Sequence, residues 1–192
     1  RPTAPHGPHR QAAGTELAKY PTTMSDSPPP LFRAAGEGDS VLLQQLLDDG
    51  ANPHQCWSGK FAGWLYESSS ALHAASTPEC VRVLVAAGAN LNKQDGGGYS
   101  LLIKAIMKKL IDVARAGIEA GADVNVTCNS KSSALHFAVS LQLGDVVDLL
   151  IAAGADLDAL NGSKWTALQN AVVTDQERLV TTLIVAGADT GH

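Results

Sequence analysis

The chain has 192 residues, 45% hydrophobic and 17% charged, with a formal net charge of −5; this is the balance of a folded soluble chain and supplies no overall basic field for phosphates, so nucleic acid is not expected as a partner. No run approaches the ~18 apolar residues of a membrane span, and the N-terminal segment lacks the apolar core of a secretory signal, so no membrane partner is expected either. Cys56, Cys80 and Cys128 are odd in number, far apart and form no Cys-x-x-Cys pair, which argues against a disulfide framework or zinc site and for a reducing, cytoplasmic and/or nuclear setting.

In chain order, residues 1–28 read as a disordered tail. Pro2, Pro5, Pro8 and Pro21 sit among Gly, His, Ser and Thr with no apolar periodicity. Met24-Ser25-Asp26-Ser27 reads as a native start, which would make 1–23 an upstream extension. Pro28-Pro29-Pro30 either ends the tail or forms a polyproline ligand for a grooved domain.

From residue 29 to 190 the chain repeats itself. Gly-Ala-Asp/Asn recurs at Gly50, Gly88, Gly121, Gly154 and Gly187, at intervals of 38, 33, 33 and 33 residues. Upstream stand Ser70-Ala71-Leu72-His73-Ala74-Ala75, Ser100-Leu101-Leu102-Ile103-Lys104-Ala105, Ser133-Ala134-Leu135-His136-Phe137-Ala138 and Thr166-Ala167-Leu168-Gln169-Asn170-Ala171, with a degenerate Pro29-Pro30-Leu31-Phe32-Arg33-Ala34 in first place. In each unit a Ser or Thr caps a first short helix, whose Leu and Ala form a thin apolar face. A second helix follows, with apolar residues at helical spacing such as Val146, Val147, Leu150 and Ile151, and a glycine such as Gly154 closes it in the left-handed conformation. Helices this short depend on burial against neighbouring units. Arg33 at one end, and Gln169, Asn170, Thr181 and Thr182 at the other, read as polar caps that complete the stack; residues 191–192 form the C-terminal end.

These hexapeptides resemble the ankyrin consensus Thr-Pro-Leu-His-x-Ala. The resemblance implies an all-α solenoid of five stacked helix-turn-helix units with projecting finger loops, no cofactor and no catalytic activity. It also implies that His73 and His136, in one register, make structural hydrogen bonds between loops. Partners of such proteins usually meet the finger tips and the concave face of the first helices. The Asn following the Gly-Ala-Asp/Asn turn is a frequent substrate of an asparaginyl hydroxylase. Here that is Asn92, with the favoured Leu84 eight residues earlier, and Asn125, where Gly117 stands at that place.

The second unit departs from the pattern. Its inter-helix turn is three residues short, with Thr77 capping and Pro78 opening the second helix, while the finger before it gains eight. The enlarged segment 53–69 holds Trp57, Phe61, Trp64 and Tyr66, in a chain with only three each of Trp, Tyr and Phe. Two readings stand: the rings fold back to plug the gap, or they contact a partner, for which Trp and Tyr are well suited. Tyr99 and Trp165 precede the caps Ser100 and Thr166 at equivalent places and are expected on the same edge. Lys104 and Lys108, four apart, are expected to share an exposed face with Lys109 nearby, fitting an acidic segment. Acidic Glu37, Asp39, Asp48 and Asp49 lie instead in the first unit.

No nucleophile–base pair or carboxylate pair is visible. The Gly96-Gly97-Gly98 triplet is not followed by Lys-Ser/Thr and reads as a flexible finger turn, and His54 with Cys56 lacks two further ligands for a metal. The expected function is a monomeric adaptor or scaffold binding another protein through Trp57, Phe61, Trp64, Tyr66, Tyr99, Lys104, Lys108 and Trp165. The alternatives are a substrate-recognition or regulatory arm of an enzyme such as a ubiquitin ligase, and a stand-alone inhibitor.

Overall fold

The computed structural model describes residues 27–190; the expectations placed on residues 1–26, including the start at Met24, lie outside the described residues. Pro29 is the N-cap and Pro30 the first residue of α1 (Pro30–Glu37), where a missing N–H and a fixed φ are tolerated. The proline triplet therefore opens a helix instead of running on as a polyproline segment.

Five helix pairs follow one another. They are α1 with α2 (Ser40–Asp48), α3 (Ala71–Ala74) with α4 (Pro78–Ala86), α5 (Leu101–Met107) with α6 (Ile111–Glu119), α7 (Ala134–Ser140) with α8 (Gly144–Ala152), and α9 (Ala167–Val173) with α10 (Glu177–Val185). The first helices stack in one row, α1 on α3 on α5 on α7 on α9. Their register is that of the repeated hexapeptide: Leu31, Leu72, Leu102, Leu135 and Leu168 are all buried, as are Ala34, Ala75, Ala105, Ala138 and Ala171. Each buried leucine contributes roughly 1.5–3 kcal/mol relative to exposure, and the small alanines let the rows approach closely.

The caps are chemical. Thr166 Oγ1 accepts the Gln169 N–H at 3.1 Å while Gln169 Oε1 accepts that of Thr166 at 3.0 Å, a reciprocal box. Helix α4 starts with Thr77 Oγ1 accepting from Cys80 at 3.3 Å, followed by Pro78. Helix α3 is only four residues long: the chain leaves the helical region at Ala75 (ψ 125°), in the unit whose inter-helix turn is three residues short, and Thr77, held extended before Pro78, already caps α4. Ser76 instead donates its N–H to the Ala35 carbonyl of the first repeat at 3.1 Å.

The enlarged segment 53–69 is a β-hairpin, which the finger-loop expectation did not include. Strand β1 (Cys56–Phe61) pairs antiparallel with β2 (Trp64–Ser70) in the register Trp57↔Ser69, Gly59↔Tyr66 and Phe61↔Trp64. Its two-residue turn, Ala62 (φ 48°) and Gly63 (φ 81°), has positive φ at both positions, the handedness that matches strand twist. The register shifts between Trp57 and Gly59, and Ser58 Oγ pins the irregularity by accepting the Ser68 N–H at 2.8 Å. One face carries Trp57 and Tyr66 inward, whereas Ser58, Lys60, Leu65 and Glu67 face out.

At the far end, Gln169 and Thr181 of the expected polar cap are exposed, while Asn170 and Thr182 are half-buried. Asn170 Nδ2 donates to Ser140 Oγ of the preceding unit (2.8 Å), and Thr181 Oγ1 donates to the Glu177 carbonyl of its own helix (3.0 Å). Beside Gln169, Asp175, Glu177, Arg178 and Thr181, this end also exposes Val172, Val173, Ile184 and Val185.

Candidate partner-binding surface

The fourth and fifth residues of each hexapeptide govern the face of the first helices. In the second and fourth units the fourth residue is histidine. His73 Nδ1 accepts the Ser70 N–H at 3.1 Å and Nε2 donates to the Lys93 carbonyl at 2.9 Å; His136 does the same with Ser133 (3.3 Å) and the Trp165 carbonyl (3.0 Å). Both rings thereby tie a helix start to the next finger. Burial lowers the pKa of each, keeping the ring neutral.

In the first unit this place belongs to Phe32, which cannot donate. It gathers rings instead: Tyr66 edge-on at 4.8 Å, Trp57 at 5.0 Å and Phe61 at 6.1 Å between centroids. Phe61 also lies over Gly36, where a Cβ would collide with the ring. Trp57 is 7% exposed and Tyr66 1%. Of the two readings, these two rings follow the inward one and are not the expected surface contacts, because an apolar side chain at the histidine position draws the hairpin inward. Phe61 is partly buried in the same cluster, and the side chain of Trp64 lies outside the described residues.

Lys104 is likewise not an exposed cation. At 5% exposure it pairs with Asp95 at 2.8 Å and lies 4.9 Å from the Tyr66 ring centre and 5.4 Å from that of Tyr99. Asp95 Oδ1 also accepts the N–H groups of Gly97 and Tyr99, both at 2.9 Å, so one carboxylate shapes the finger and neutralises the lysine. Lys108 is half-buried and donates to Tyr66 Oη, stands 4.9 Å from that ring's centre, and lies 3.4 Å from the His73 carbonyl. Desolvation, then the neighbouring Lys104 charge, pushes its pKa down to about 8, while burial pushes Tyr66 up to about 12. Lys109 alone of the three is exposed, in a left-handed turn (φ 58°) after α5.

The glycine triplet is held rather than flexible. Gly96 donates to the Glu67 carbonyl of β2 at 2.6 Å, and the Gly97 carbonyl accepts from Asn129 of the next finger at 3.1 Å. Gly98 (φ 77°) passes so near Asn129 that a Cβ would sit 2.6 Å from its backbone nitrogen. Lys131 (φ 58°) and Lys164 (φ 61°) take the same left-handed place at the tips of the next two fingers, and both are exposed.

A family model of ankyrin repeats, three copies long, matches residues 31–128 and again 116–192. The chain belongs to the ankyrin-repeat family. No curated protein matches it. Ankyrin repeats are generally protein–protein interaction modules and typically non-catalytic, so the surface matters here more than any cleft. Among the described residues no group of three or more His, Cys, Asp or Glu could hold a metal ion, and no helix is long and apolar enough to cross a membrane.

Within this ankyrin stack the structure brings together Tyr99 and a residue the sequence reading passed over, Phe137, with ring centroids 6.0 Å apart and planes at 70°. Phe137 is the fifth residue of its hexapeptide, in register with Ala74, Lys104 and Asn170; comparing that column across the units would have found it. Trp165, 40% exposed, is placed elsewhere, on a groove at the end of the stack with Leu168, Val172 and Ile184. Asn92 Oδ1 accepts the Asp123 N–H at 2.8 Å, and Asn125 and Asp158 do the same for Asp156 and Asp189 at 2.8 Å each. These side chains form rungs between successive finger bases.

Proposed function

We propose that this chain is an adaptor or scaffold module that holds a segment of another protein across the face of its first helices. The contact would centre on Tyr99 and Phe137, with acidic side chains of the partner meeting Lys109 and Lys131. One observation carries the reading: the Tyr99–Phe137 pair is only partly buried, while the rings of Trp57 and Tyr66 are buried and the Lys104 charge is paired with Asp95. Aromatic pairs in such positions supply large contact area at small entropic cost. Exposed Lys109 follows α5 and exposed Lys131 precedes α7, which moves the acidic-partner reading away from Lys104. Buried Cys80 and Cys128 and the exposed thiol of Cys56 are all free, in keeping with a cytoplasmic or nuclear setting.

The test is affinity capture from the source tissue with the unaltered chain and with Tyr99→Ala, Phe137→Ala and Lys131→Glu. A partner held by the first and lost by the variants, at unchanged helical content, supports the reading; equal retention by all three variants sinks it. Asn92 is proposed as a hydroxylation site. Its side-chain oxygen holds a rung, so modification would require the finger to lift, and mass spectrometry of native protein lacking an added oxygen on Asn92 would remove it.

A further inference from the structure

The fingers before α5, α7 and α9 are bonded tip to tip. Asn129 donates its N–H to the Gly97 carbonyl at 3.1 Å, and Gly162 donates to the Ser130 carbonyl at 2.8 Å. One turn position recurs at the three tips, held by Gly98 (φ 77°), Lys131 (φ 58°) and Lys164 (φ 61°). Both lysines are exposed, in a left-handed conformation that favours glycine and that Gly98 fills without a charge. Lys131 is exposed even with the next finger bonded to its own, so the exposure belongs to the column and not to its last member.

The row has a charge direction. Strand β2 abuts the finger before α5, where Gly96 donates to the Glu67 carbonyl at 2.6 Å and the Glu67 side chain is exposed. Charge therefore runs from Glu67 past the neutral glycines to Lys131 and Lys164. Tyr99 follows Gly98 and opens the row, with the Phe137 ring 6.0 Å away. Lys109 follows α5 at the other end of that helix, off this line.

Spacing then selects the conformation of what lies on the row. The first helices stack directly, α5 on α7 on α9, so successive fingers are separated by roughly the 8–10 Å of packed helices. An extended strand returns to one face at every second residue, roughly 6.6 Å on, and falls out of step. A helix regains the spacing only after seven residues, at about 10.5 Å, and meets the row rarely. A polyproline-II segment turns once in three residues and rises about 9.3 Å, in step with the fingers.

We propose that the partner segment is a polyproline-II stretch lying along these fingers, with an apolar residue on Tyr99 and Phe137 and acidic residues three and six positions away, at Lys131 and Lys164. This rests on the partner-binding reading above and specifies what that face recognises, which is acids spaced by three. Aromatic rings suit such a segment, whose backbone is ordered before it binds.

The experiment titrates the full 192-residue chain, labelled with nitrogen-15, with the synthetic peptide Leu-Pro-Pro-Glu-Pro-Pro-Glu-Pro and with its reversed sequence, each to about 5 mM. One of the two directions should bind with a Kd of about 0.1–1 mM and shift the amides of the fingers before α5, α7 and α9. The same composition with its acids two apart, Leu-Pro-Glu-Pro-Glu-Pro-Pro-Pro, and the reverse of that sequence should bind about tenfold more weakly. Lys164→Glu should weaken the matched peptide about fivefold, and a peptide with Lys in place of the Glu farther from Leu should recover that loss on Lys164→Glu but not on Lys131→Glu. Thermal melts verify that the variants keep the stack. Equal binding of matched and mismatched peptides, no binding in either direction, or recovery on Lys131→Glu instead would each overturn the proposal. Such a failure with partner capture still lost in Tyr99→Ala and Phe137→Ala strikes the spacing alone, whereas capture retained in those variants strikes the partner-binding reading itself.

Discussion

Lys104 Nζ lies 2.8 Å from Asp95 Oδ2, with side chains 6% and 2% exposed. The pair joins the finger before α5 to that helix. Breaking one side of such a pair leaves an uncompensated buried charge, which costs more than the intact pair contributes. Asp95→Ala should therefore lower unfolding stability by about 3–5 kcal/mol, read from urea denaturation. Asp95→Ala with Lys104→Met should recover much of that loss, although Gly97 and Tyr99 N–H groups would still lack their acceptor.

Lys108 makes stability depend on alkaline pH. Its folded pKa, about 8, lies below its ordinary value of 10.5, so from pH 8 to 10 the unfolded chain binds more protons than the folded one. Stability then rises with pH in that window, by an amount on the order of 1–3 kcal/mol. Above pH 10 the raised pKa of Tyr66, about 12, acts in the opposite sense and flattens the rise. Lys108→Met should abolish the increase in chemical denaturation curves taken across this range; the same slope in the variant would contradict the assignment.

His73 and His136 act at the other end of the scale. Both have lowered pKa values through burial, so below about pH 6.5, their ordinary value, the unfolded chain takes up protons that the folded chain resists. Stability falls as pH drops through this region. Replacing both by Gln, as Gln169 already stands in the fifth repeat, should reduce that acid dependence in thermal melts.

Ala62 occupies a left-handed turn position (φ 48°), where a non-glycine residue is strained and Asn or Gly is favoured. Ala62→Asn should stabilise the chain by about 0.5–1 kcal/mol, seen as a higher denaturation midpoint. The change lies at the hairpin tip and should leave partner capture as it was.

Leu135, 1% exposed, contrasts with exposed Lys131. Leu135→Ala should cost about 2–5 kcal/mol. Lys131→Glu should change stability by less than about 0.5 kcal/mol while reducing capture of an acidic partner. The two variants separate core from surface in one pair of melts and one binding assay.

Local chemistry made most of the stack readable in advance. Ser70, Ser100, Ser133 and Thr166 cap where a cap was read, Thr77-Pro78 opens α4, and Gly50, Gly88, Gly121, Gly154 and Gly187 all have positive φ. The direction of the hairpin rings was harder to see. The strand alternation Trp57, Gly59, Phe61 is present, but the turn signal is masked because Ala62 stands where Asn would announce it. Lys104 was misplaced for another reason: its partner Asp95 lies nine residues upstream on a different element, and a helical face drawn from lysine spacing takes no account of a finger folding back onto it. Phe32, at the column held by His73 and His136, was the clue to the inward turn of the hairpin rings.

Buried leucines and alanines join all five repeats; to these the rungs of Asn92, Asn125 and Asp158 add polar bonds between repeats two to five, whereas the hairpin adds the rings of Trp57 and Tyr66 on Phe32 of the first repeat, which has one backbone bond to the second, from Ser76 to Ala35. The two additions respond differently to cooling, because hydrophobic association weakens toward low temperature while hydrogen-bonded rungs do not share that loss. The first repeat is thus the cold-sensitive end of the molecule. In a supercooled or pressurised sample, amide exchange should quicken across α1 and α2 before it does in α7 or α8.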